Sequence, residues 1–139
     1  MATLESIEGI GPANAKKLRA AGVRSTDALL KSGGTKKGRK AIAEASGVAE
    51  KSVLGWVNRA DLMRITGVST QYSDLLEAAG VDTVKELAKR RPDNLAAKMK
   101  QVNDAAVAKG HGIVRRPPPQ ADVEKWVAQA KKLKPAVSH

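Results

Sequence analysis

The tetrapeptide Ala20-Ala21-Gly22-Val23 returns as Ala78-Ala79-Gly80-Val81. No other feature constrains the fold as strongly. The same offset of 58 residues (78 − 20) pairs Ile7 with Ile65, Gly9 with Gly67, Ile10 with Val68, Leu18 with Leu76, Ser25 with Thr83 and Leu29 with Leu87. A chain that repeats its small and aliphatic positions in one register builds one supersecondary unit twice. A later match, Trp56-Val57-Asn58-Arg59-Ala60 with Trp126-Val127-Ala128-Gln129-Ala130, needs an offset of 70 (126 − 56), so the second copy carries 12 extra residues (70 − 58). Their place is 108–120, where Gly110, Gly112 and Pro117-Pro118-Pro119 stop a helix and read as an extended loop. The expected organisation is a first repeat over 1–60 and a second, degenerate repeat over 61–134 with an inserted Pro-rich loop at 108–120. A flexible tail is expected over 135–139.

Within each repeat the pattern is helical, with no sustained period-2 alternation of β-branched residues. Ala13 to Ala20 reads as a helix closed by Gly22. Ser25-Thr26-Asp27 offers N-cap chemistry for a helix through Leu30. Lys36 to Ala45 is stopped by Ser46-Gly47. Glu50 to Met63 carries Val53, Leu54, Val57, Ala60 and Met63 at helical spacing. Thr70–Ala79, Thr83–Lys89 and Asn94–Val107 follow, and a last helix over Ala121–Leu133 puts Val123, Trp126, Val127 and Ala130 on one face. Trp56 and Trp126 are expected to anchor equivalent core positions.

Composition narrows the chemistry. There is no Cys among the 139 residues, which excludes disulfides, thiolate zinc sites and cysteine nucleophiles. The only histidines are His111 and His139, and neither has an acid–base partner by spacing. The chain is therefore expected to be no enzyme and to need no cofactor. The first residues do not form a basic n-region and apolar core. No apolar run approaches the ~18 residues of a membrane span, and no Trp/Lys amphipathic helix suggests a lipid surface. The expected setting is the cytoplasm. The formal charge of +11 draws a protein to polyanions.

The sharpest local feature is Ile7-Glu8-Gly9-Ile10-Gly11-Pro12-Ala13-Asn14-Ala15-Lys16-Lys17-Leu18. Glycines on either side of Ile10 permit a tight reversal with no side chain over the backbone. Pro12 suits the first turn of the helix that follows. Such a helix starts with unpaired N–H groups at a positive dipole end, where a phosphate can sit. In the second copy, Gly67-Val68-Ser69-Thr70-Gln71-Tyr72 has Ser69 in place of the second Gly. Charge differs too. Over 4–30 it is +1 (Lys16, Lys17, Arg19 and Arg24 against Glu5, Glu8 and Asp27), and over 62–87 it is −2 (Arg64 and Lys85 against Asp74, Glu77, Asp82 and Glu86). An acidic hairpin is a poor phosphate seat, so the second is read as mainly structural.

The first hairpin, with the downstream Ala21-Gly22-Val23-Arg24-Ser25-Thr26-Asp27-Ala28-Leu29, resembles the helix-hairpin-helix superfamily of DNA repair and recombination proteins. The resemblance implies main-chain contacts to phosphates of one DNA strand from Gly9, Ile10, Gly11, Pro12, Ala13 and Asn14. Lys16 and Lys17 would add charge. It also implies a candidate monovalent-cation seat at the carbonyls of Glu5, Ile7 and Ile10; no other metal site is expected. The longer run from Trp56 through Ile65 and Leu75 to Leu87, continuing by Asn94-Leu95 and Asn103 to Trp126, looks like a bacterial family known only as a domain of unknown function, whose members pair two such repeats. The fold implied is all-α: two tandem helix-hairpin-helix-like (SAM-like) repeats packed as one compact helical domain.

Further basic clusters are Lys36-Lys37-Gly38-Arg39-Lys40 after Ser32-Gly33-Gly34, which reads as flexible, Lys89-Arg90-Arg91 before Pro92, and Arg115-Arg116 on the insertion. Lys36, Lys37, Arg39, Lys40, Lys89, Arg90 and Arg91 are counted with the hairpin as candidate backbone contacts. With two Trp, one Tyr and no Phe, base stacking is a minor resource. The expected function is sequence-independent, non-catalytic binding to a nucleic-acid backbone, duplex DNA ahead of RNA. The alternative is a protein-interaction adaptor with a structural hairpin pair and an acidic protein partner.

Overall fold

Among the residues described in the computed structural model, 3–138, the chain is helical and without a strand. Met1, Ala2 and His139, which fall inside the expected repeat and tail boundaries, lie outside the described residues. A 3-10 turn at Leu4–Ser6 precedes α1 (Gly11–Ala20), α2 (Thr26–Gly33), α3 (Lys36–Ser46), α4 (Glu50–Leu62), α5 (Thr70–Ala78), α6 (Val84–Ala88), α7 (Pro92–Ala108) and α8 (Gln120–Lys132). The element before the first hairpin is thus a single 3-10 turn. Helix α1 starts two residues earlier than its apolar pattern suggests, with Gly11 and Pro12 leading it.

The helix ends follow capping chemistry. Ser25, Thr35, Ser69 and Thr83 each sit in extended backbone, and their side-chain oxygens accept a hydrogen bond from the amide three residues on. Each satisfies one orphan donor, an arrangement worth about 1 kcal/mol. The other end of α1 is closed by Gly22 at φ 90°. Its N–H donates to Arg19 O at 3.0 Å, and Val23 N–H reaches back to Leu18 O at 2.9 Å. Gly80 at φ 95° closes α5 the same way, with Gly80 N–H to Glu77 O at 3.0 Å and Val81 N–H to Leu76 O at 2.8 Å. These paired bonds satisfy the last carbonyls of each helix, which is why Ala-Gly-Val recurs.

Contacts divide the chain into two units. One runs up to Asp61 and takes in the C-terminal segment from Pro135; the other is Leu62–Lys134. In the first unit α3 packs on α1 and α2, over a core that includes Leu4, Ile7, Ile10, Leu18, Leu29, Ile42, Val53, Trp56 and Val57. In the second, α8 packs on α6 and α7, and α5 on α7, around a cluster that includes Ile65, Leu75, Leu76, Leu87, Met99, Val123 and Trp126. Both tryptophans are buried, each set under a hairpin glycine. A Cβ at Gly9 would lie 3.6 Å from Trp56 Nε1, and one at Gly67 would lie 3.1 Å from Trp126 Nε1.

Two segments read as loose from sequence are packed. Gly33 and Gly34 are buried; a Cβ at Gly33 would lie 2.6 Å from Val57 Cγ2, and one at Gly34 would lie 2.5 Å from Ala136 O. The expected flexible tail docks onto the first unit over its described residues, 135–138. Val137 is buried, Ser138 N–H donates to Gly34 O at 2.8 Å, and Arg39 Nη2 donates to Ser138 O at 2.7 Å. Glycine is required at 34 because the docked segment runs against its backbone.

Candidate nucleic-acid interface

The two hairpin loops are built on the same hydrogen bonds. In the first, Ile7 N–H donates to Leu4 O and Ile10 N–H to Ile7 O, at 3.1 and 3.3 Å; in the second, Ile65 N–H donates to Leu62 O and Val68 N–H to Ile65 O, both at 3.1 Å. Each loop is braced from the last helix of its unit, α4 or α8. Arg59 Nη1 donates to Glu8 O at 3.0 Å. Gln129 Nε2 donates to Thr66 O at 3.3 Å, while Thr66 N–H donates to Gln129 Oε1 at 3.1 Å.

The loops part at one residue. Ser69 has φ −80° and its Oγ accepts the Tyr72 N–H at 3.3 Å. Gly11, 58 positions earlier, has φ 66° and no side chain, and α1 begins without a side-chain cap. A Cβ placed on Gly11 would meet nothing within 4 Å. Pro12 and Ala13 are exposed, and Gly11 is half-buried. Of the amides at this helix start, Ile10's is taken by Ile7 O and Pro12 has none. Gly11 and Ala13 donate to no carbonyl among the described residues. This corrects the expectation that Ile10 would offer a main-chain donor; Ile10 is also buried, where it pins the turn. The Ile7 carbonyl, one of three implied for a cation, already accepts one hydrogen bond.

The charges around α1 are unequal. Lys16 and Lys17 are exposed. Arg19 is engaged by Glu5 through two bonds, of 2.9 and 2.6 Å. That hydrogen-bonded guanidinium holds the Glu5 carboxyl below the usual carboxylate range.

The basic cluster opening α3 does not act as one patch. Lys36, Lys37 and Lys40 are exposed, but Arg39 is 3 % exposed. Its Nη1 donates to Gly33 O at 2.9 Å and its Nη2 to Ser138 O. Arg39 is an internal clamp and is not available to a phosphate. The i,i+3 spacing of Arg39 and Ile42, both turned inward, carries that information in the sequence. The start of α3 is capped by Thr35, whose Oγ1 accepts Gly38 N–H at 3.0 Å.

In the second unit Arg90 is held by Glu86 Oε1 at 3.1 Å and Gly80 O at 3.0 Å, and Arg91 pairs with Asp93 at 3.0 Å. Both are partly committed to their own unit, and Lys89 is exposed. Together with Asn94 and Lys98 they line a cleft of about 370 Å³ floored by Ala79 and Leu95. The i,i+4 pair Asn94 and Lys98 was not singled out from sequence; its position on the outer face of α7 is what gathers it with Lys89.

Residues 8–133 match the family model described as a domain of unknown function, DUF4332. The chain belongs to this family. No curated protein matches it, and neither does any solved structure. The DUF4332 match covers both hairpins and the insertion between α7 and α8. No helix among the described residues is long and apolar enough to cross a membrane.

Proposed function

We propose that this DUF4332 protein is a non-catalytic binder of duplex DNA that grips the phosphodiester backbone without reading sequence. On this reading the two units are tandem helix-hairpin-helix-like repeats, the first equipped for a phosphate and the second retained for packing. The reading is carried by the start of α1. Its Gly11 and Ala13 amides lie at an uncapped helix N-terminus, the space over Gly11 is open, and exposed Lys16 and Lys17 follow. Backbone donors at a dipole end favour an anion but distinguish no base. Exposed Lys36, Lys37 and Lys40 add positive charge to the first unit and Lys89 to the second, and a large exposed apolar residue among those described is confined to Val107. Such a surface favours electrostatic over hydrophobic association.

The test is an anisotropy titration of two unrelated duplexes at two salt concentrations, with wild type and Gly11→Asp. Asp tolerates a positive φ, meets no neighbour at this site, and places a carboxylate where the phosphate would sit. Wild type is expected to bind both duplexes alike, with affinity falling steeply in salt, and Gly11→Asp to bind at least tenfold more weakly. Equal affinity of the folded variant and wild type would remove the hairpin from the interface.

A further inference from the structure

The insertion of the second unit is a pinned loop. Helix α7 ends with Gly110 N–H donating to Val107 O at 2.9 Å and His111 N–H to Ala106 O at 3.0 Å. Asn103, 2 % exposed, then holds the returning chain. Its Oδ1 accepts the amides of Ile113 and Val114, both at 2.9 Å, and its Nδ2 donates to Val114 O at 3.0 Å. Val114 and Pro118 are buried. Tyr72, in the first turn of α5, donates its hydroxyl to Arg116 O at 3.4 Å. Its ring leans on Trp126, with centroids 5.2 Å apart. Arg115 and Arg116 lie between these pins. Both are exposed, and neither guanidinium has a hydrogen bond or ion pair among the described residues.

We infer that Arg115 and Arg116 form a second phosphodiester contact, supplied in the second unit by the insertion instead of the hairpin. This rests on the backbone-binding reading above. The hairpin of this unit carries a net −2 over 62–87 and caps its own helix with Ser69, so it offers an anion little. The loop brings two cations beside that same helix start, through the Tyr72 bond. A guanidinium presents a planar fork of donors matched to phosphate oxygens. Because the loop backbone is held at both ends, little ordering remains to be done when a ligand arrives. The insertion thus restores to the second unit the charge its hairpin lacks.

The test is the salt dependence of duplex binding by wild type, by Arg115→Ala/Arg116→Ala and by Arg115→Lys/Arg116→Lys, with circular dichroism to verify helix content. Removing two phosphate contacts should make the slope of log K against log salt shallower by about 1.8, since each contact contributes about 0.9. The lysine pair should keep the wild-type slope. An alanine pair with the wild-type slope would overturn the inference, and would mean that the loop serves another partner, such as an acidic protein. If Gly11→Asp weakens binding while the alanine pair does not, the hairpin reading survives and this one falls; if wild type binds no duplex, both fall.

Discussion

At Gly9 and Gly67 the backbone turns through nearly the same angle, φ 90° and 94°, over an indole ring in each unit. Two residues later the units diverge. Gly11 keeps a positive φ and leaves the helix start open, whereas Ser69 returns to φ −80° and fills the same role with its own hydroxyl. One side chain decides whether the first amides of a helix are satisfied within the chain or left for a ligand. The braces differ in the same sense: the first loop is held by a cation, Arg59, and the second by a neutral amide, Gln129. The two loops therefore share a glycine set over an indole and still differ in how the following helix start is satisfied.

The comparison can be broken most forcefully at the tryptophans. Trp56→Ala and Trp126→Ala should each destabilise by about 3–5 kcal/mol in urea denaturation. Similar losses would mean that the indoles hold equivalent positions, and a loss confined to one would deny it. Next come the buried polar clamps, which differ between the units. Arg39→Met leaves the Gly33 and Ser138 carbonyls without their donor, and Asn103→Ala frees two amides and a carbonyl of the insertion; each should cost about 2–3 kcal/mol. Ser69→Ala should cost about 1 kcal/mol, and Ser69→Gly should open the second helix start to resemble the first. The smallest effect is acid dependence. Arg19 lowers the Glu5 carboxyl, while in the second unit the Asn94 amide, then Arg91, lowers the Asp93 carboxyl. Folding that lowers a carboxyl pKa contributes stability at neutral pH that is lost as the pH falls through the folded value. Both groups are exposed, so Glu5→Gln and Asp93→Asn should flatten the stability profile only slightly, below the ordinary values of 4.5 and 3.8.

Helix identity was legible because it depends on local chemistry. Ser25, Thr83, Gly22 and Gly80 mark their boundaries by capping, and the 58-residue offset carries the hairpins, caps and closing turns through both units. What sequence did not reveal depends on contacts between distant residues. Arg39 looks like its lysine neighbours until helical phase turns it inward beside Ile42. Gly33-Gly34 looks like a flexible spacer because the segment that packs on it lies about a hundred positions away. Arg115-Arg116 stands out by charge, but Asn103 and Tyr72, which fix its loop, are too far off in sequence for spacing to connect them. The candidate phosphate seat was legible as a motif. Which of its amides are left over was not, because that depends on where α1 begins.

The clamp at Arg39 has a consequence for biosynthesis. The buried guanidinium needs the carbonyl of Ser138, so the first unit is completed only by residues synthesised after the whole of the second. Until then the groove that takes Val137 is open and Nη2 of Arg39 is left to water. A nascent chain paused in the second half should expose that groove, and a short peptide copying 135–138 should compete for it.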